Sequence, residues 1–86
     1  MSKEDLRRSL DALQTELEQI TDPAVKDRIA HLIKDIERQI NEPEAPEHGQ
    51  KAQQKLPGLI EQFEAEHPKI TESLNRLMVT LSGMGI

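Results

Sequence analysis

Three histidines and a scatter of hydroxyl side chains are the residues of this chain that could do chemistry. Glu64 and His67 lie three apart, the spacing that sets a carboxylate and an imidazole on one helical face and that helix bundles use to hold paired iron or manganese. A second copy would bring a second set. Such a centre also needs an inward Glu from other helices. The seam positions of the first two helical segments are Leu, Ile and Val, with Gln39 the one polar candidate. No metal ligand is therefore assigned. His67 reads instead as a polar residue in an apolar seam, its ring bonding a carbonyl that Pro68 frees or a partner side chain. A residue of that kind can fix register or oligomer number at some cost in stability. His31 and His48 have no second ligand at useful spacing, so both read as surface residues, His31 on an outer helix face and His48 in a connector. Ser9, Ser73, Thr80 and Ser82 have no His within a turn to activate them, and no Gly-rich phosphate loop is present. No catalytic residue, cofactor-binding residue or cofactor is expected, and the chain reads as not an enzyme.

Composition narrows the classes further. The 86 residues include 16 Asp plus Glu against 11 Lys plus Arg, a net charge of -5, with one Phe and no Trp, Tyr or Cys. Nucleic-acid affinity rests on clustered cations and stacking rings, so no nucleic-acid partner is expected. No apolar run approaches the roughly 20 residues that cross a bilayer, and the start MSKEDLRRSL lacks the apolar stretch of a signal peptide. The expected setting is the cytoplasm, with no membrane contact. One domain fits this length, and its small core calls for support that cannot be a disulfide. Oligomerisation is the natural candidate.

The elements follow from periodicity and breakers. Leu6, Leu10, Leu13, Leu17 and Ile20 alternate at spacings of 4 and 3, a heptad seam, behind a start at Ser2 to Asp5 that can cap a helix. Helix one is predicted over 3–20. Asp22 and Pro23 then cap and open helix two, predicted over 23–40, whose seam is Val25, Ile29, Leu32 and Ile36. Ile33 and Ile40 widen that stripe, which suggests contact with two neighbours. Residues 41–50, NEPEAPEHGQ, read as an exposed acidic connector carrying three of the excess negative charges. The pairs Glu4 with Arg8, Asp22 with Lys26 and Glu72 with Arg76 are spaced to support solvated faces.

The last segment carries the longest pattern. Leu56, Ile60, Phe63, His67, Ile70, Leu74, Leu77, Leu81 and Met84 alternate at 4 and 3 straight through His67-Pro68. An unbroken register favours one helix over 53–82, kinked near 67–68 where Pro68 frees the Glu64 carbonyl, over two helices with Pro68 opening the second. Pro57 is then tolerated in the first turn, and Gly83 supplies a left-handed cap. A third helix of about 43 Å would overhang the hairpin by about 15 Å and leave apolar seam in water unless a second copy covers it. Met78, Met84 and Ile86 either finish the bundle end or form an adaptable patch for a partner.

The stretch Phe63-Glu64-Ala65-Glu66-His67-Pro68-Lys69-Ile70-Thr71 with Leu74-Asn75, and the ending Leu81-Ser82-Gly83-Met84-Gly85-Ile86, resemble the C-terminal signature of a family of short bacterial proteins, domain of unknown function 4404. The Leu-rich start and acidic middle are similar to that family too. The resemblance implies a small helical bacterial protein and assigns no activity, substrate or cofactor. Pro57-Gly58 departs from it, standing where ordinary helix formers are expected. Together these readings give an all-α chain: a helical hairpin plus a long kinked C-terminal helix, a three-helix bundle of coiled-coil character. The nine seam residues from Leu56 to Met84 are its oligomer or partner seam. The expected function is non-enzymatic self-association as a homodimer or homotetramer, with another protein as a further possible partner. The alternative is a small acidic regulator that sets its Glu-rich connector on a basic partner surface.

Overall fold

In a computed structural model, which describes residues 3–84, four helices follow one another: α1 (Lys3–Glu18), α2 (Pro23–Asn41), α3 (Glu47–Phe63) and α4 (Pro68–Gly83). No strand occurs among the described residues. Each helix adjoins its neighbour in the chain and α4 closes back on α1, while the diagonal pairs α1–α3 and α2–α4 stay apart. With short turns between them, successive helices run antiparallel, within an envelope of 35 × 20 × 18 Å. The all-helical reading holds. The three-helix layout does not.

The break comes at His67, and Pro68 causes it. A residue before proline is pushed out of the helical region, and His67 sits at φ -133, ψ 67. Pro68 then opens α4 at the position where its missing N–H costs nothing. The expected kinked helix over 53–82 is thus two helices. The unbroken heptad count misled because Glu64 to His67 stand in for one helical turn: the Glu64 N–H still reaches the Ile60 carbonyl at 3.0 Å and the His67 N–H the Phe63 carbonyl at 2.8 Å. Four linking residues preserve the count while the chain reverses.

The other boundaries have local causes as well. The first helix ends at Glu18, not residue 20, because the N–H groups of Gln19 and Ile20 turn back to the carbonyls of Glu16 and Leu17 in tighter i-to-i+3 bonds. Asp22 caps α2 as expected, its Oδ1 accepting from the Ala24 N–H at 3.0 Å, and Pro23 opens the helix. The expected connector 41–50 shrinks to residues 42–46, since Asn41 completes α2 and α3 begins at Glu47. Pro46, fixed near φ -68, starts that turn, and the Gln50 N–H bonds its carbonyl at 3.1 Å. Pro57 therefore lies inside α3 rather than in its first turn. It sits on the exposed side next to an open Gly58, where water can serve the carbonyl it cannot bond. Gly83 is the last residue of α4 and not a left-handed cap: the cap is Met84 at φ -85, ψ -3. The Ser2 cap and the Gly85-Ile86 tail lie outside the described residues.

One apolar cluster fills the bundle. Leu6, Leu13, Ile29, Leu32, Ile36, Leu56, Leu74, Leu77 and Leu81 are fully enclosed, with every helix contributing at least one. Gln39 supports the α2–α3 corner from within: its Oε1 accepts the buried Gly49 N–H at 2.8 Å. A Gln39→Ala variant leaves that N–H without a partner and should lower stability by about 1–3 kcal/mol. Urea unfolding checks the loss, and faster hydrogen exchange at Gly49 than at other α3 amides locates it.

Candidate functional site

The nine seam residues of the C-terminal half face the interior of a single chain. Leu56, Phe63, Ile70, Leu74, Leu77 and Leu81 are buried, and Ile60, His67 and Met84 are half-buried. No overhang forms, because α4 folds back along α1 instead of running past the hairpin. Ile60, Met78 and Met84 pack against the same core, and Val79 is the one large apolar side chain left well exposed among the described residues. The surface these residues were expected to offer a second copy is spent within the fold.

The chemical candidates separate just as plainly. Glu64 is the cap just past the end of α3 and His67 precedes α4, so they do not share a helical face. The His67 ring meets Phe63 edge-on, centroids 6.3 Å apart at 70°, rather than bonding a freed carbonyl. His31 is exposed as expected, its Nδ1–H donating to the Asp27 carbonyl at 2.8 Å. His48 is not the surface residue expected of a connector. The first turn of α3 folds its ring inward to 16% exposure, with Nε2 3.3 Å from Glu42 and Nδ1 buried without a partner. Among the described residues no three His, Asp or Glu gather as metal ligands.

Hydroxyl groups serve the fold. Ser73 donates to the Glu16 carboxylate, 2.9 Å from both oxygens, and so ties α4 to α1. Thr80 bonds the Arg76 carbonyl within its own helix. Three polar ties between α2 and α3 went unforeseen: Asp35 with Lys55 at 2.7 Å, Arg28 with Gln62, and Gln39 with Gly49. Only Gln39 gave a signal in sequence, as the lone polar residue near a seam. The spaced pairs Glu4–Arg8, Asp22–Lys26 and Glu72–Arg76 form no ion pair; Asp22 spends its carboxylate on the cap.

What remains open is the face between α1 and α2, the least closely joined of the four adjoining pairs. Two depressions run end to end along it and share Gln14 and Glu37 in their walls. Leu10 and Ile40 floor the one toward the α2–α3 turn; Leu17, Ala30 and Ile33 floor the other. Arg7, Asp11 and Glu18 rim the α1 side, and Lys26, Lys34 and Glu37 the α2 side. None of these six side chains is in an ion pair among the described residues. Ile33 and Ile40, which widen the α2 stripe in the sequence, are buried, and α2 adjoins two neighbours, α1 and α3, as that stripe suggested. A partly apolar groove between charged rims fits a helical protein surface.

The fold and this face define a small antiparallel four-helix bundle. Among its described residues no helix is long and apolar enough to cross a membrane. The chain belongs to the family described as Domain of unknown function (DUF4404), whose model matches residues 6–86. No curated protein and no solved structure matches it.

Proposed function

We propose that this protein is a non-enzymatic interaction module of the cytoplasm that self-associates as a homodimer or homotetramer, with another protein as a further partner. One observation carries the reading: a groove runs along the α1–α2 face, with Leu17 and Ala30 half-buried between two charged rims. A module of this kind works by presenting that face. The acidic-regulator alternative has less support. Only residues 42–46 of the acidic run lie outside helices, and Glu42 already stands against His48.

Light scattering after size exclusion tests the proposal, with refractive-index detection because the chain has no Trp or Tyr. A mass of two or four times 9.8 kDa, reached as concentration rises, is the expected result. A mass of 9.8 kDa across the whole micromolar to millimolar range overturns self-association.

A further inference from the structure

We infer that the α1–α2 face is the seat of a second copy of this chain, docked about a twofold axis parallel to the helices so that α1 of each protomer lies over α2 of the other. This rests on the self-association proposed above and specifies its surface and register.

The argument is the arrangement of charge on the two rims. Because α1 and α2 run antiparallel from one turn, residues equally far from that turn stand at the same height. Glu18 and Lys26 are each 4 residues from Asp22, Asp11 and Lys34 are 11 and 12 away, and Arg7 and Glu37 are each 15 away. Every level thus carries one acid and one base, on opposite rims of an open groove. The sign reverses once: α1 is acidic at the two lower levels and basic at the third. Within one chain the groove holds these partners apart, and none is ion-paired among the described residues.

A twofold axis along the groove exchanges left for right and keeps height. It sets Glu18 against the second copy's Lys26, Asp11 against its Lys34, and Arg7 against its Glu37. The same contacts recur on the other side, so three levels give six opposite-charge meetings. No like charges meet. Between the rims the half-buried Leu17 and Ala30 of each copy close on the other and lose water. A twofold axis across the helices instead reverses height. Arg7 then still meets Glu18, and Lys26 meets Glu37, but Asp11 falls near Gln14 and Lys34 loses its acid. Asp11 and Lys34 are therefore the pair that reports the register.

The test uses charge reversal in the full chain. Asp11→Lys and Lys34→Glu each put like charges together twice in the dimer and should weaken it about tenfold. The double variant Asp11→Lys/Lys34→Glu restores opposite charges within the same homodimer and should dimerise as the wild type does. Sedimentation equilibrium at low salt reads the dissociation constants, and ellipticity at 222 nm confirms that each exposed substitution leaves the fold intact. A dimer that tolerates both single reversals overturns this register and leaves self-association standing on another face. Additive weakening in the double variant does the same. A wild type that stays monomeric overturns the docking together with the reading on which it rests.

Discussion

Replacing Leu74 and Leu77 together by Glu should leave a chain with little helix at any concentration. Both side chains are fully enclosed on the inner face of α4. Each loses roughly 1.5–3 kcal/mol of apolar burial, and each new carboxylate adds a desolvation cost of several kcal/mol where nothing pairs with it. A small domain has about 5–15 kcal/mol of stability in total, so the two changes exceed what this one holds. Ellipticity at 222 nm reads the outcome, with Val79→Glu as the control. Val79 lies on the same helix at 60% exposure, and its replacement should leave the helical signal unchanged. A double variant as helical as the wild type would sink the placement of α4 against the core.

Leu56→Ala should lower stability by about 2–5 kcal/mol, the range for truncating an enclosed Leu beside neighbours that only partly relax. Leu56 is fully buried on α3, within the same cluster as Leu74 and Leu77. For a domain of this size that is a fall in Tm of about 10 °C or more. Concentration separates the two places the residue could act. A seam between copies gives a loss that shrinks as protein concentration rises, because mass action restores the oligomer. An intrachain core gives the same loss at each concentration. Calorimetric scans of wild type and variant across a hundredfold range distinguish them, and a loss that vanishes at the top of the range would return Leu56 to an interface.

These two variants also mark where the sequence was legible. Spacings of 4 and 3 name Leu56, Leu74, Leu77 and Leu81 as residues that must leave water, and each is enclosed. Asp22 followed by Pro23 names a helix start, and the cap forms there. Both signals are local: a helix three or four residues long already decides which side chains share a face. His48 and Pro57 were misplaced for a non-local reason. The Pro- and Glu-rich run 41–50, which holds His48 and precedes Pro57, reads as solvated chain, yet Gln39 of α2 takes the Gly49 N–H and lets α3 begin at Glu47. The groove was not visible: Ile33 and Ile40 beside the α2 seam read as covered by two neighbours and are buried, and the charged rims carry no periodic mark of their own.

By itself the sequence determined that this chain is helical, where its second helix starts, and most of the apolar residues that form its core, Ala52 and Leu59 being missed. It also supplied the family, through the residues around His67-Pro68 and the C-terminal ending, and the family model covers residues 6–86. Only the tertiary structure decided that His67 ends one helix instead of kinking it, that one chain covers its own seams, and that α1 and α2 leave a face open. The reason is physical. A heptad states that a stripe must be buried and is silent about what buries it. That choice belongs to contacts between distant parts of the chain, such as Ser73 on Glu16 across 57 residues, which exist only once α4 has turned back.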